Sequence, residues 1–168
     1  MADSKSIYLL LGSNLGNRLA VLETAVKLIA ERVGNVSEES AVYETAPWGI
    51  TDQPTFLNQV IRVESELTPE NALEFTLSIE QELGRVRGER WGARVIDIDL
   101  LFYDDLILDT PSLILPHPRL HERRFTLIPL AEIAADHVHP LLKKTVLDLL
   151  NNCPDNGVVS KFHEKNTI

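Results

Sequence analysis

The sequence predicts an α+β domain ordered strand, helix, strand, strand, helix, strand, with further helices towards the C-terminal end. Three observations predict it. Short apolar or alternating runs at 7–11, 57–66 and 95–103 have the pattern of strands. Two stretches, 18–33 and 69–83, repeat apolar residues at helical spacing. Glycine and proline punctuate the joins between them. With 168 residues, 44% of them hydrophobic, the chain suits one compact domain with a sizeable core.

Each element has its own reason. Residues 7–11 form an apolar run that stops at Gly12, as a buried strand does, and 12–17 make a tight turn with two glycines. From 18 to 33, Leu22, Val26, Ile29 and Val33 share a helical face, and Gly34 supplies the stop. Residues 36–43 are expected to return as a strand. Residues 45–55 carry two prolines and a glycine and read as an irregular loop. In 57–66, Leu57, Gln59, Ile61, Val63 and Ser65 face one way, and Asn58, Val60, Arg62, Glu64 and Glu66 the other, a half-buried strand. Thr68-Pro69-Glu70 is a helix start: an N-cap threonine, proline at the first helical position, an acid in the first turn. That helix is expected to run to Leu83, with Ala72, Phe75, Ile79 and Leu83 on one face, and to end at Gly84. Residues 84–94 form a second irregular loop, 95–103 a strand, and 111–118 a proline-bounded extended segment. Two more helices are expected at 124–134 and 143–150. Residues 154–168 are mostly polar and are expected as a loosely held tail. A single domain thus spans 1–168, with its core at about 7–150. The order is that of the ferredoxin-like βαββαβ fold. It predicts an antiparallel sheet with helices on one face, the other face being free for a site framed by the two loops.

Charge and cysteine content narrow the function. Sixteen basic residues against 25 acidic give a net charge of −9, which disfavours nucleic acid and anionic membrane as general partners. Cys153 is the single cysteine, so no internal disulfide forms, in keeping with a reducing compartment. No signal-peptide pattern opens the chain, and no apolar run approaches the ~20 residues of a membrane helix. A cytoplasmic protein is expected.

The segment Ile96-Asp97-Ile98-Asp99-Leu100 carries the clearest chemistry. Alternation places Asp97 and Asp99 on one strand face, about 7 Å apart. Ile96, Ile98 and Leu100 enter the core from the other. Aspartate is depleted in strands. Two on one face suit Mg²⁺, which binds one or two protein carboxylates together with phosphate oxygens and water. The pair taken alone fits a solvated strand face equally well. Immediately upstream, residues 84–94 hold four of the ten arginines, three glycines and Trp91. Arginine presents a planar fork that matches phosphate oxygens, and glycines permit a loop to close over a ligand. Taken alone, such a cluster is more often salt-bridged surface. Joined to the paired acids, it makes a phosphoryl-type transfer site the favoured reading.

Other candidates are less specific. His117 lies between Pro116 and Pro118 in a segment that continues through Arg119, His121, Arg123 and Arg124 to Phe125. It adds cationic and hydrogen-bonding groups, or is simply a basic helix start. His137 and His139 read as structural or surface residues. Trp48, Phe56, Trp91 and Phe125 have the flat faces to stack a heterocycle, and equally the bulk to pack beneath loops. No P-loop and no protein-kinase motif set is present, so an ATP site has to be built from the sheet face and the loops.

Several stretches together resemble the 6-hydroxymethyl-7,8-dihydropterin pyrophosphokinase family. They are Leu11-Gly12-Ser13-Asn14-Leu15-Gly16, Glu44-Thr45-Ala46-Pro47, and Gln53-Pro54-Thr55-Phe56-Leu57-Asn58. They continue with Gly84-Arg85-Val86-Arg87, then Glu89-Arg90-Trp91-Gly92-Ala93-Arg94, then Asp97-Ile98-Asp99. Pro116-His117, Arg123, Phe125 and Pro129-Leu130 complete the set. They lie in the family's order over about 7–150, and the Arg-Trp-Gly-x-Arg-x-x-Asp-x-Asp run is highly specific.

The resemblance implies transfer of a pyrophosphoryl group from ATP to the pterin hydroxymethyl oxygen, with release of AMP, in folate biosynthesis. It implies that Asp97 and Asp99 hold two Mg²⁺ ions, that Asp97 is also catalytic, and that Arg85 and Arg94 act on the phosphates. Thr45, Pro47, Trp48 and Asn58 would line the pterin pocket, with Phe56 and Phe125 on either side of the ring. Glu80, Arg87, Trp91, Leu100, His117 and Arg123 would border ATP. The expected partners are these small molecules, for a monomer that binds neither nucleic acid nor membrane. The sequence departs from the family pattern at Gly88-Glu89, where the arginine loop is one residue short, and at Trp48, Phe56, Leu77 and Ser112. Read from the residues alone, a metal-dependent phosphohydrolase and a non-catalytic nucleotide-sensing module share the same features.

Overall fold

The computed structural model describes residues 4–14, 17–45, 55–85 and 95–162 of the chain. Strand β1 (Lys5–Ser13) is an inner strand of the sheet, buried from Ile7 onwards. It pairs antiparallel with β4 (Phe56–Ser65) on one side and with β5 (Asp97–Tyr103) on the other. The far edge of β4 is lined by β2 (Asn35–Glu39) and β3 (Tyr43–Thr45), and β8 (Val159–Lys161) extends the sheet beyond β3. With β2 and β3 taken as one interrupted strand, the order of the four principal strands is the ferredoxin-like arrangement that the sequence predicts. A small hairpin pairs β6 (Leu108–Asp109) with β7 (Ile114–Leu115), the second of these lying in the extended segment expected at 111–118.

The second strand breaks where Ser40 replaces part of the ladder with its own side chain. Ser40 N–H donates to Val60 O at 2.8 Å, and Val60 N–H donates back to Ser40 Oγ at 3.0 Å. The hydroxyl thus satisfies a donor that regular pairing gives to a carbonyl. The single strand expected at 36–43 therefore appears as β2 and β3 with a kink between them. Gly34, before β2, is fixed by proximity: a Cβ there would lie 2.2 Å from Glu64 O.

Helix α1 (Arg18–Arg32) and helix α2 (Pro69–Arg85) cover one sheet face. Leu22, Ala25, Ile29, Ala72 and Ile79 pack there against Ile7, Leu9, Leu11, Ile61, Val63 and Ile98. Asn17 caps α1 through its side chain, which accepts from Ala20 N–H. Helix α2 begins as predicted but does not stop at Gly84; it continues to Arg85. Its inward face also differs from expectation. Phe75 is exposed, while Thr76 is buried with its hydroxyl donating to Leu73 O. The i−3 hydrogen bond satisfies the hydroxyl and makes burial tolerable.

The opposite sheet face is not open along its whole length. Helix α3 (Arg124–Ala134) and helix α4 (Val146–Asn151) pack over it, with Leu127, Leu130, Val146 and Leu149 against Tyr8, Leu10, Val60 and Phe102. Strand β4 is accordingly covered on both faces from Leu57 to Ile61, and is half-buried only towards its end. The expected loose tail is also corrected in part. Residues 159–161 form a strand against β3, and Phe162 N–H donates to Val42 O. Sequence pattern alone misses a three-residue edge strand because its stability comes from the partner, not from its own composition. Among the described residues no helix is long and apolar enough to cross a membrane.

His139 is structural. It is 3% exposed, and its Nδ1 accepts the backbone N–H groups of Leu141 and Leu142. Burial first, then the neighbouring His121 and His137, push its pKa down from 6.5 to about 4. The unfolded chain binds this proton more readily, so stability falls as pH drops from 6.5 towards 4. Urea unfolding at pH 7 and pH 4.5 should show the wild type losing roughly 2–3 kcal/mol more than His139→Gln across that interval.

Candidate active site

The antiparallel register builds the site. Across the sheet, Asp97 pairs with Gly12 and Gly12 with Asn58. Next to this row Asp99 pairs with Leu10 and Leu10 with Val60. In a flat antiparallel row directly opposed residues point the same way, so Asp97, Asp99, Gly12 and Asn58 share the face that α3 and α4 only partly cover. Phe56 pairs with Thr45, and Thr45 with Val159, which carries the same face outward to the sheet edge. The result is a cleft of about 550 Å³ at the end of the sheet not covered by α3 and α4. Arg123 and Phe125, at the start of α3, form another of its walls. Their own contact, Arg123 with its guanidinium 5.6 Å from the Phe125 ring centre, orients both.

Gly12 is necessary to this geometry. A Cβ at that position would lie 2.8 Å from Asn58 Nδ2, so the absent side chain leaves the space that the amide occupies. Two buried polar atoms on the cleft wall, Asn58 Oδ1 and Thr45 Oγ1, have no hydrogen-bond partner among the described residues. Buried polar atoms rarely go unmatched, and a pair of them facing one cleft marks the place where a polar ligand edge docks.

The carboxylates stand at the β5 side of the cleft, each partly exposed while Ile96, Ile98 and Leu100 between and beside them are buried in the core under α1 and α2. Hard oxygen donors on one face fit Mg²⁺, with the rest of its shell left to phosphate oxygens and water. Among the described residues no set of three or more His, Cys, Asp or Glu side chains gathers as an all-protein metal cage.

Of the sequence-predicted site residues, Thr45, Phe56, Asn58, Asp97, Asp99, Arg123 and Phe125 meet in this cleft. His117 lies beside them. Burial pushes its pKa below the ordinary value, Asp99 opposes that shift, and Arg123 and Arg119 reinforce it. Its Nδ1 accepts Arg119 N–H at 3.1 Å. Two further candidates stand outside the cleft lining. The Leu100 side chain is buried in the helix-side core, because strand alternation turns it away from the face that carries Asp99. Glu80 does not line the cleft: from α2 it accepts Ile98 N–H at 2.6 Å, on the edge strand between the two aspartates. It positions β5. Pro47, Trp48, Arg87, Trp91 and Arg94 lie outside the described residues, as does the side chain of Arg85, whose backbone ends α2.

Sequence reasoning missed two supporting groups. Arg18, at the start of α1, donates through Nη1 to Thr55 O at 2.9 Å, to Thr55 Oγ1 at 2.6 Å and to Glu44 Oε2 at 3.4 Å. It thereby ties together the two stems of the 46–54 segment. Asp155, Gly157, Val158 and Val159 also line the cleft. No local motif signals either group, because each works through partners distant in sequence.

Fold and site together define a ferredoxin-like protein whose sheet carries an acid pair, an arginine and unmatched polar atoms in one cleft. The family model for 7,8-dihydro-6-hydroxymethylpterin-pyrophosphokinase matches residues 8–135. The chain is 48% identical over 152 residues to the 2-amino-4-hydroxy-6-hydroxymethyldihydropteridine pyrophosphokinase of Methylorubrum extorquens, covering 90% of this chain and 95% of that one. It is 39% identical to the folic acid synthesis protein fol1 of Pneumocystis carinii, spanning 93% of this chain but 21% of that protein. A crystal structure of Plasmodium falciparum HPPK-DHPS superposes with a TM-score of 0.74 at 17% identity, over 89% of this chain and 43% of that chain, a likeness of fold. This chain belongs to the 7,8-dihydro-6-hydroxymethylpterin-pyrophosphokinase family.

The role of Glu80 is testable without substrate. Glu80→Ala should lower the unfolding free energy by about 1–3 kcal/mol, the penalty for stranding a backbone donor. Faster hydrogen exchange at the Ile98 amide in that variant should accompany the loss.

Proposed function

We propose that this chain transfers the β,γ-pyrophosphoryl group of ATP to the hydroxymethyl oxygen of 6-hydroxymethyl-7,8-dihydropterin, with release of AMP, as a step of folate biosynthesis. Membership of the family supports the reaction class. The observation that carries the reading to this site is the joint placement of the orphaned Thr45 Oγ1 and Asn58 Oδ1 with Asp97 and Asp99 in one cleft. The first pair suits the hydrogen-bonding edge of a pterin. The second suits a cation held against phosphates.

In this reading Phe56 and Phe125 bear on the flat pterin faces, and Thr45 and Asn58 fix its polar edge. Pro47 and Trp48 belong to the same pocket. Asp97 and Asp99 would hold Mg²⁺, two ions as the family resemblance implies, which would offset phosphate charge and lower the pKa of the attacking hydroxyl. Arg123, with Arg85 and Arg94, neutralises charge on the transferring group. His117, Arg87 and Trp91 border the nucleotide. The hydroxymethyl oxygen bonds to the β-phosphorus, and the bond from that phosphorus to the α–β bridging oxygen breaks. AMP leaves with that oxygen. The hydroxyl proton departs as the new bond forms, and Asp97 is the group proposed to accept it. Catalysis is then positioning and electrostatics, with little covalent work for the protein. The chain acts as a single domain, a monomer in the cytoplasm.

An assay with ATP, Mg²⁺ and the pterin, separating AMP from ADP, tests this. AMP that forms only with pterin is the expected result. ADP and phosphate, irrespective of pterin, would identify a hydrolase. ATP binding without turnover would identify a sensing module. Asp97→Ala and Asp99→Ala should each lower kcat by about 10²–10³-fold or more, in line with removal of a major electrostatic group, and normal turnover in either would remove the metal-site assignment.

A further inference from the structure

The cleft has a wall that the family motifs do not include. Asp155, Gly157, Val158 and Val159 line it, and both ends of the 155–159 segment are anchored beside or on cleft residues. At one end Asp155 Oδ2 accepts Arg124 N–H at 3.1 Å. That amide belongs to the first residue of α3, whose N-cap, Arg123, supplies no side-chain cap. Asp155 therefore caps α3 from 31 positions away, between Arg123 and Phe125. Its other oxygen accepts Gly157 N–H at 2.8 Å, so both oxygens of the carboxylate serve to hold the segment. At the other end Val159 pairs with Thr45, and the pairing continues through Ser160 with Glu44 and Lys161 with Tyr43.

Between these anchors Val158 lines the cleft yet is 79% exposed. An isolated surface valine needs no explanation. This one is held at a fixed place on a wall it shares with Phe56 and Phe125. The side chains of 157–159 bring no charge, so they offer nothing to a triphosphate and suit an uncharged flat ring.

We propose that the strap 155–159 is a substrate-binding wall and that Val158 is a specificity residue touching the pterin ring system. The proposal rests on the pyrophosphokinase reading above. Bound pterin covers the apolar surface that Val158 otherwise leaves in water. Asp155 is a positioning residue that holds the strap over the site.

The test uses full-length Val158→Asp, Val158→Ile and Asp155→Ala. Pterin titration is followed by calorimetry with Mg²⁺ and a non-hydrolysable ATP analogue, and KM is measured separately for the two substrates. Val158→Asp should weaken pterin binding and raise its KM about tenfold or more, the scale on which one misplaced group in an apolar pocket is felt. The KM for ATP should stay within about twofold and Tm should be unchanged, since a side chain this exposed supports little packing. Val158→Ile should restore pterin binding, and Asp155→Ala should raise the pterin KM more than the ATP KM. Wild-type pterin affinity in Val158→Asp, or an equal loss for both substrates, would overturn the proposal while leaving the pyrophosphokinase reading intact. A wild-type protein that fails to bind the pterin at all would overturn both.

Discussion

The antiparallel pairing of β1 with β4 and β5 is the constraint on which the rest of the structure depends. It aligns Asp97, Gly12 and Asn58 in one row and Asp99 beside it. Because side chains alternate, a slip of one residue between β1 and β5 would turn the aspartates into the helix-side core and bring Ile98 to the cleft, and a slip between β1 and β4 would turn Asn58 away from it. The apolar set Ile7, Leu9 and Leu11 prevents that slip, since it has to remain under α1 and α2. Core packing and the site are thus specified by the same register. The Glu80 hydrogen bond to Ile98 N–H adds a second lock from the helix side at the outer edge of β5, where the sheet order ends.

Around this centre the fold spends polar groups on holding backbone in place. Ser40 substitutes a hydroxyl for a ladder carbonyl. Arg18 ties the stems of the 46–54 segment, and Asp155 caps α3 from the far end of the chain. Among the buried polar atoms left unmatched in the described residues, Thr45 Oγ1 and Asn58 Oδ1 are the pair that lies on the cleft wall.

Apolar surface follows the same division. Helices α3 and α4 cover the sheet face over Tyr8, Leu10 and Val60 and leave open the end where the aspartates stand. A site formed at the edge of a covered face gains rigid walls from the packing beside it and access from the part left bare. The C-terminal strap then narrows that opening between β3 and the start of α3.

The pattern of residues determined a large part of this by itself. Alternation in β4 and β5, the glycine stop after α1 and the Thr68-Pro69 helix start are local signals, and local signals are written within a few residues. Strand alternation alone put Asp97 and Asp99 on one face, and the resemblance of the motifs brought Thr45, Phe56, Asn58 and Phe125 into one expected pterin pocket, with Arg123 expected beside ATP. Tertiary structure decided what distant partners control. Glu80 became a strand anchor, since from α2 it accepts Ile98 N–H. Leu100 went to the core, α3 and α4 took the face expected to be free, and a tail that looked loose became an edge strand and a cleft wall. None of these is encoded in a short window. Each depends on a hydrogen bond or packing surface supplied by residues tens of positions away, and only the folded chain brings those together.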